Sequence, residues 1–450
     1  MPEPGRIQPR LRVFDTAMVV VSLVIGIGIF RAPALVARAA GSESAFLGVW
    51  ALGGLVSLIG ALTYAEIGAR MPRAGGYYRV VAECYHPLLA FMLNWSQALL
   101  QGAGAAGVAF IGAEYLNLML LPAEQRGPQA TLIGACALMV ALVVLNLLGV
   151  RAGARTQNVL SMAKLVLLAG LALAGLLAGR GALPAATPSS ATISGFLSAA
   201  VAVFYAYGGY QCTMNLGGDV CDARRNLPRA LCLGMGLVTG VYLLINLAYL
   251  KVLGLAGLSE APLVAAELAR QVLGPHGADF VSAAIFLSAA GFVNATIVHV
   301  PRSYYAMAED GTLPALFLRV NPRTQAQEPA LLFFVLTMLG PALMLGSFEK
   351  LLHYVMFSDA LALALLASAL FVLRRRRVGD EPAGGFRMPG YPVLPALFVL
   401  CLLALAGEVL RSETRLALAG LGVMLVGIPL FWMMRRVCGR PGPFTPARCP

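Results

Sequence analysis

Long apolar runs, separated by short polar segments, dominate this chain from about residue 12 onward. Most are at least close to the roughly 20 residues that an α-helix needs to cross the hydrocarbon core of a bilayer. The pattern predicts twelve transmembrane helices, called spans one to twelve here. They cover residues 12–39, 43–70, 85–118, 129–149, 155–179, 193–216, 229–254, 278–307, 329–346, 350–373, 392–410 and 414–434.

Composition and charge agree with an all-α polytopic membrane protein. Of the 450 residues, 59% are hydrophobic and only 12% are charged, which is unlike a soluble domain. The net charge of +12 does not indicate a nucleic-acid partner. The distribution of Lys and Arg between the two sides instead indicates the orientation of the protein in the membrane. With the N-terminus inside, 23 Lys and Arg fall on the inner side and 9 on the outer side, so both termini are predicted to be cytoplasmic. The Ala-, Arg- and Leu-rich composition suggests a bacterial cytoplasmic (inner) membrane.

The sequence predicts neither a metal nor a cofactor. Its eight cysteines lack CxxC spacing and its four histidines are scattered, so no cluster has the spacing of metal ligands. Four cysteines lie in predicted spans and are interpreted as small packing residues: Cys136, Cys212, Cys232 and Cys401. A membrane-embedded enzyme would need a nucleophile with a base, or a metal cluster, and a channel would need a repeated pore motif. Both classes are disfavoured.

Paired glycines interrupt two spans that lie about 180 residues apart. Span one contains Gly26 and Gly28, and span six contains Gly208 and Gly209. Glycine weakens a helix by roughly 1 kcal/mol relative to Ala and permits backbone angles that a helix does not use. Close packing of neighbouring helices is the alternative explanation at each site alone. Breaks at matching places in two halves of a chain instead indicate a transporter site built on an inverted repeat.

An unwound backbone in the membrane needs a hydrogen-bonding partner, since an unsatisfied peptide group costs several kcal/mol in lipid. Free N–H groups at the start of the second half-helix suit a carboxylate, and free carbonyls at the end of the first half-helix suit an ammonium. A small zwitterion satisfies both groups.

Several motifs, in their order and spacing, resemble the amino acid-polyamine-organocation transporters, and within them the L-type amino acid transporter branch. The resemblance covers about residues 12–436. The motifs are Gly26-Ile27-Gly28-Ile29-Phe30, Tyr64-Ala65-Glu66-Ile67-Gly68, Pro72-Arg73-Ala74-Gly75-Gly76-Tyr77, Ala206-Tyr207-Gly208-Gly209-Tyr210, Arg225-Asn226-Leu227-Pro228-Arg229-Ala230 and Ala308-Glu309-Asp310-Gly311-Thr312-Leu313-Pro314.

The resemblance implies a LeuT-like fold of two inverted five-helix repeats, with spans one and six discontinuous and two extra helices. The repeats would cover about residues 12–179 and 193–373, forming a transporter core over 12–373. Spans eleven and twelve would lie within 392–434, and residues 1–11 and 435–450 would be cytoplasmic tails.

The same resemblance implies a substrate amino acid held between the two breaks. Its carboxylate would meet the backbone amides of Gly26, Ile27 and Gly28, and its ammonium the carbonyls around Tyr205, Ala206 and Gly208. Ile27 departs from the Ser, Ala or Thr that is usual in the branch, which leaves the N–H but shifts side-chain specificity. Tyr205 falls where the family has an aromatic gate. The residues predicted to bind substrate are Ile25, Gly26, Ile27, Gly28, Ile29, Tyr205, Ala206, Tyr207 and Gly208.

Lys164 lies about nine residues inside span five, where a charge costs roughly 2.5 to 3.5 kcal/mol on insertion scales. Snorkelling to the interface is the alternative to a functional role. The resemblance favours function, because a lysine here resembles the one that replaces the sodium site of related carriers and bridges spans one and eight. It would hydrogen-bond carbonyls near the span-one glycines in only some conformations, and transport would be sodium-independent.

Other polar residues inside the spans have open roles. Asp359 in span ten, beside Ser358, is either part of the pathway or a structural hydrogen-bonding partner. Gln97 and Gln101 share a face of span three at i, i+4 spacing and either face the cavity or join helices. Glu66, Glu309 and Asp310 lie near span ends and are expected to cap loops.

The sequence therefore predicts a secondary transporter of neutral L-amino acids, working by exchange or facilitated diffusion. A cationic amino acid or polyamine is the alternative substrate, with Asp359 as the carboxylate such a side chain would need. Animal members of the branch pair with a single-span glycoprotein through a cysteine after span three. Residues 119–130 contain no cysteine, so no disulfide-linked subunit is expected.

Overall fold

A computed structural model describes residues 7–26, 28–178, 193–261, 263–274, 277–345, 349–380, 385–412 and 414–438. These residues form fifteen α-helices, and the described part contains two isolated β-bridges but no extended strand. The helices are α1 (Val13–Val24), α2 (Gly28–Ala40), α3 (Glu43–Arg70), α4 (Gly76–Cys84), α5 (Pro87–Leu120), α6 (Pro128–Leu147), α7 (Val150–Leu177), α8 (Ile193–Ala206), α9 (Ala223–Glu260), α10 (Val264–Leu273), α11 (Gly277–Glu309), α12 (Glu328–Leu345), α13 (Glu349–Arg375), α14 (Val393–Ser412) and α15 (Thr414–Cys438).

Within the described ranges, eight helices are long and apolar enough to cross a membrane: α3, α5, α6, α7, α9, α11, α14 and α15. The apolar helices α1 and the start of α12 are shorter. This is an all-α polytopic membrane fold, as predicted, and each predicted span coincides with helical structure. The total of twelve crossings stays a prediction.

Burial separates the centre of the molecule from its lipid-facing rim. In α11, 78% of the most apolar 18-residue window is buried inside the protein, against 11% in α15 and 28% in α6 and α14. Apolar side chains that face outward on a rim helix are stabilised by lipid, since the bilayer and not water surrounds them. Helix α11 therefore lies at the core, where it packs against α5 and α7.

Two short helices were not predicted. Helix α4 follows span two and starts after Gly75, whose φ of 67° lies in the left-handed region, which glycine adopts without steric cost. Helix α10 lies between spans seven and eight. Each has only nine or ten residues, so neither forms an apolar run long enough to signal a span.

Charged side chains tie several helices together at one face of the molecule. Glu66 of α3 is fully buried and accepts hydrogen bonds from Arg70, from Arg374 of α13 at 2.6 and 2.9 Å, and from the backbone N–H of Met388 at 2.7 Å. Four donors satisfy the buried carboxylate, as a buried charge requires. Glu66 therefore joins α3, α13 and the segment before α14.

The first described residues belong to this same face. Backbone N–H groups of Arg10 and Leu11 donate to the Asp219 carbonyl at 2.7 and 2.8 Å, and the Cys221 N–H donates to the Leu11 carbonyl at 2.9 Å. The side that carries residues 7–11 is called the N-terminal face below. Leu11 is 1% exposed, so the end of the predicted tail is packed into the fold.

Candidate functional site: two interrupted helices

Span one is interrupted in the described structure. Helix α1 ends at Val24, and Ile25 leaves helical geometry with φ −74° and ψ 83°. The N–H of Gly26 donates to the Val24 carbonyl at 2.8 Å, and α2 begins at Gly28. Ile27 lies outside the described residues. The first N–H groups of α2 have no partner within their own helix, which gives this break a positive end.

Span six is interrupted one residue before its paired glycines. Helix α8 ends at Ala206, the N–H of Gly208 donates to the Tyr205 carbonyl at 3.1 Å, and Gly209 has a left-handed φ of 112°. A 3₁₀ helix over Tyr210–Asn215 continues the chain. The glycine pair therefore allows the tight turn that residues with a Cβ resist.

The two breaks lie against each other. A methyl group on Gly28 would come within 3.2 Å of the Ala206 Cα, and one on Gly209 within 2.6 Å of the Leu23 carbonyl. A methyl group on Gly26 would meet only a ring carbon of Phe292, at 3.9 Å. The close approach thus requires glycine at Gly28 and Gly209, whereas a methyl group on Gly26 would make only an ordinary van der Waals contact.

Tyr242 of α9 joins both breaks. Its hydroxyl oxygen lies 3.0 Å from the Val24 carbonyl and 3.0 Å from the Ala206 carbonyl. One hydroxyl has one proton to donate, so the two carbonyls share it. The ring also contacts Trp50 and Tyr207, with ring centroids 5.8 and 4.9 Å away.

Lys164 of α7 holds the end of α1. Its side chain is 0% exposed, and Nζ donates to the carbonyls of Ile25 at 2.8 Å and Ser22 at 3.2 Å. Gly291 of α11 lies alongside, since a methyl group there would come within 3.3 Å of Nζ. The lysine nitrogen thus lies where the exposed carbonyls of a helix end attract a hydrogen-bond donor or a cation.

A chain of buried polar side chains extends from this lysine. Ser22 and Ser161 hydroxyls are 2.7 Å apart, Gln157 donates to Ser161 at 3.0 Å, and Asn294 of α11 donates to Gln157 at 2.8 Å. Asn146 of α6 donates to Asn294 at 2.7 Å. Four helices are therefore connected through side-chain hydrogen bonds that satisfy one another in the apolar core.

The other predicted binding residues differ in what their side chains contact. Ile25 and Ile29 are fully buried, and Tyr207 packs its ring in the aromatic cluster of Trp50 and Tyr242. Tyr205 is half-buried and meets Phe204 edge to face. The structure brings the two breaks and Lys164 together, whereas the Tyr207 ring packs against Tyr242 and its hydroxyl donates to the Trp50 carbonyl at 3.4 Å.

Asp359 and the two glutamines of span three lie near the 3₁₀ helix that follows the span-six break. Gln97 donates to the Asp359 carboxylate at 2.7 Å, and Gln101 Nε2 lies 3.8 Å from the Cys212 sulfur. The neighbouring Ser358 side chain lies outside the described part.

Sequence reasoning missed Tyr242 and the polar residues beside Lys164. The signal for the latter is present, because Gln157, Ser161 and Lys164 are spaced i, i+4 and i+7 and so share one face of α7. For Tyr242 the sequence offers only an aromatic residue within an apolar span, a pattern that packing explains equally well.

Two helices that break against each other inside a membrane protein are characteristic of secondary transporters. A profile of the amino acid permease family matches residues 11–426, and this chain belongs to that family.

Curated relatives match over nearly the whole chain. The serine/threonine exchanger SteT of Bacillus subtilis is 28% identical over 93% of this chain and 94% of its own length. The large neutral amino acids transporter small subunit 2 of Mus musculus is 29% identical over 92% and 79%, and the human cystine/glutamate transporter 27% identical over 96% and 86%.

Proposed function

We propose that this chain is a secondary transporter of neutral L-amino acids that works by alternating access, as an exchanger or a facilitator, without sodium. The observation that carries the proposal is the contact between the two helix breaks, joined by the Tyr242 hydroxyl. Backbone groups freed in the membrane at one point are the means by which a transporter binds a zwitterion.

In this proposal the substrate carboxylate binds the N–H groups of Gly26, Ile27 and Gly28. Gly26 donates to Val24 in the present conformation, so this turn must open or share its N–H with the substrate. The ammonium binds carbonyls among Tyr205, Ala206 and Gly208, each of which has a second lone pair to offer. Tyr205 would cover the bound molecule as a gate.

Lys164 supports the sodium-independent form of the proposal. The Lys164 nitrogen donates to the Ile25 and Ser22 carbonyls and so occupies the kind of position that a coupling ion takes at a helix end. Because these carbonyls belong to the last turn of α1 and to Ile25 just after it, the lysine would favour the conformation in which α1 ends at Val24.

The names of the relatives support a neutral substrate. Serine, threonine and large neutral amino acids appear in two of them, whereas the cystine/glutamate transporter differs. A cationic substrate is not favoured by these names.

The remaining parts of the proposal concern organisation and location. The chain would comprise inverted repeats over about residues 12–179 and 193–373, with two added helices in 392–434 and tails over 1–11 and 435–450. It would lie in a bacterial cytoplasmic membrane with both termini cytoplasmic, and it would act without a disulfide-linked glycoprotein, as the absence of cysteine in residues 119–130 suggests.

Counterflow in proteoliposomes tests the proposal. Vesicles loaded with an unlabelled L-amino acid should accumulate the labelled form, saturably and with preference over the D-isomer, at equal rates in sodium and in choline buffer. A panel of unlabelled neutral, cationic and anionic amino acids then ranks the substrates. Uptake without saturation would indicate a channel, and a requirement for sodium would refute the role given to Lys164.

A further inference from the structure

Asp359 is a carboxylate well inside a transmembrane helix that has no paired cation among the described residues. It lies within α13 (Glu349–Arg375), and Gln97 of α5 donates to its Oδ1 at 2.7 Å. In the described part of the chain, no group donates to its other oxygen, and no Lys, Arg or His pairs with it. Ionisable side chains inside a membrane are rare, and they mark pairs of opposite charge or the paths of ions and protons.

A carboxylate without a cation is costly at this depth. An ionised Asp at the centre of a membrane helix costs roughly 2.5 to 3.5 kcal/mol on insertion scales. Other carboxylates of this protein are paired, since Glu66 accepts hydrogen bonds from two arginines and Asp219 pairs with Arg302. At Asp359 a bound proton would remove the charge instead. The Gln97 carboxamide, which carries both donors and an acceptor, can bond either form of the carboxyl group.

A small polar pocket brings water close to this carboxylate. It lies between α4, α5, the 3₁₀ helix Tyr210–Asn215 and α11, and it has room for a few water molecules. Gln97 is part of its lining, so Asp359 is one hydrogen bond away from the pocket. The Tyr77 hydroxyl and His299 Nε2 are also in the lining, and both are buried without a described hydrogen-bond partner. Water suits such a place, because a buried water molecule needs two to four polar partners.

The pocket adjoins the ion pair at the N-terminal face. His299 and Ser303 of α11 line it, and Arg302 between them pairs with Asp219 through two hydrogen bonds of 3.0 Å. When that pair separates, water in the pocket becomes continuous with the solution at the N-terminal face.

We propose that Asp359 is a proton-binding site, which exchanges its proton with the N-terminal face through water in this pocket, and that transport requires the protonated form. A hydronium ion in the pocket transfers a proton to Asp359 Oδ2, which leaves a neutral carboxyl group and a water molecule. The inference rests on the proposed transport function and adds a dependence on protons to it.

The other ionisable groups near Asp359 belong to residue types that are normally neutral at pH 7. They are the hydroxyls of Tyr64, Tyr77 and Tyr205 and the thiol of Cys212. The next residue, Ala360, packs against α14, where Glu408 pairs with Arg411 at 2.8 Å. A pH dependence that disappears with the Asp359 carboxylate is therefore attributable to that carboxylate.

The test is the pH dependence of counterflow, with the same pH inside and outside the vesicles. Wild type, Asp359→Asn and Asp359→Glu are compared between mildly acidic and mildly alkaline buffers, with the labelled neutral amino acid that the wild type transports best. Asn keeps the shape of a neutral carboxyl group but has no proton to release. Glu114→Gln is the matched control, because Glu114 is an exposed carboxylate on α5, the helix that carries Gln97.

The wild-type rate should fall as the pH rises, by at most about tenfold per pH unit, the limit for a site that binds one proton. Glu114→Gln should show the same fall, Asp359→Glu should retain a fall, and the rate of Asp359→Asn should no longer vary with pH. A wild-type rate that is independent of pH would overturn the inference while transport itself stands. So would an Asp359→Asn rate that falls as steeply as that of the wild type.

Infrared difference spectra between the acidic and alkaline buffers provide a measurement that does not need transport by the variants. The carbonyl band of a protonated carboxyl group should be lost in alkaline buffer in the wild type and in Glu114→Gln, and it should be weaker in folded Asp359→Asn. Equal bands in all three proteins would overturn the inference. Competition by lysine that weakens in Asp359→Asn, with an unchanged pH profile, would assign the carboxylate to a cationic substrate and overturn it too. Failure of the wild type to transport any amino acid would instead refute the proposed function, and the infrared bands would still report on the proton site.

Discussion

At the residue scale, Lys164 and Tyr242 provide the two helix breaks with the hydrogen-bond donors that water provides to a helix end in solution. Carbonyls at the end of α1 lack their helical donors, and lipid provides none. Lys164 supplies N–H donors to Ser22 and Ile25, and Tyr242 supplies a hydroxyl to Val24 or Ala206. Both side chains donate hydrogen bonds to carbonyls near the end of α1. Both therefore affect whether α1 ends at Val24.

Lys164→Ala should fold and reach the membrane but lose transport by roughly tenfold or more, because hydrogen bonds to a charged group contribute about 1.5–3 kcal/mol. The measurement is counterflow at equal amounts of reconstituted protein. Lys251→Ala is the matched control, since Lys251 also donates to a carbonyl, that of Leu176, but far along the chain from the breaks. Wild-type rates in Lys164→Ala would remove the lysine from the mechanism.

Tyr242→Phe keeps the ring in its aromatic cluster and deletes the shared donor. We expect the variant to unfold at lower temperature, by an amount equivalent to about 0.5–1.5 kcal/mol, and to transport more slowly than wild type. Tyr249→Phe, two turns along α9, deletes a hydroxyl without a described partner and should keep the wild-type melting temperature. Equal melting temperatures for wild type and Tyr242→Phe would show that the bridge between the breaks is not stabilising.

At the element scale, the break in span six depends on one glycine more than on its neighbour. Gly209 has the left-handed φ and faces the Leu23 carbonyl, whereas a methyl group on Gly208 would lie 3.4 Å from the Tyr205 carbonyl, in ordinary contact. Substitutions at the two positions therefore distinguish the effect of the backbone conformation of the turn from the effect of filling the space beside it.

Gly209→Ala should markedly reduce the yield of folded protein, because the backbone conformation alone costs about 1–3 kcal/mol for a residue with a Cβ and the methyl group would press on the Leu23 carbonyl. Gly208→Ala should fold and instead raise the KM for larger substrates more than for small ones. Size-exclusion chromatography and counterflow with substrates of increasing size distinguish the two effects. Equal yields for both variants would contradict the assignment of the strained position.

Sequence alone could predict these elements to different degrees. The lengths of the apolar runs predict the spans, and the paired glycines predict both breaks, because spans and breaks depend on local composition. The contact between the breaks could not be predicted, since it depends on how α9 places Tyr242 beside residues more than 30 positions away. Likewise, Lys164 was identifiable as a charge in an apolar run, but its carbonyl partners depend on the packing of α7 against α1.

At the scale of the whole molecule, the N-terminal face is closed by interactions that join separate parts of the chain. Asp219 and Arg302 form a bidentate pair with side chains 1% and 5% exposed, and the Asp219 carbonyl accepts from the backbone of Arg10 and Leu11. Alternating access moves one group of helices against another, and we expect opening at this face to separate Asp219, which follows the span-six break, from Arg302 of α11.

Asp219→Asn should shift the protein toward a conformation open at the N-terminal face. Removing one partner of a buried ion pair costs about 3–5 kcal/mol in the closed state, whereas Arg302 would be hydrated in the open one. Cys212 reports the shift, because it lies in the 3₁₀ helix that leads to Asp219 and is 7% exposed. With the other cysteines replaced, we expect maleimide to label Cys212 at least about tenfold faster in Asp219→Asn, in line with tenfold per 1.4 kcal/mol.

Two controls separate opening from unfolding. Glu83→Gln breaks an ion pair with Arg73, whose backbone lies beside Gly217, and the two side chains are 36% and 60% exposed. It should leave labelling unchanged, since exposed pairs contribute about 0–1 kcal/mol. Asp219→Glu retains the charge and should restore slow labelling in part, which general loss of structure would not. Slow labelling in a folded Asp219→Asn protein would mean that closure at this face rests on apolar packing, and the ion pair would then only position Arg302.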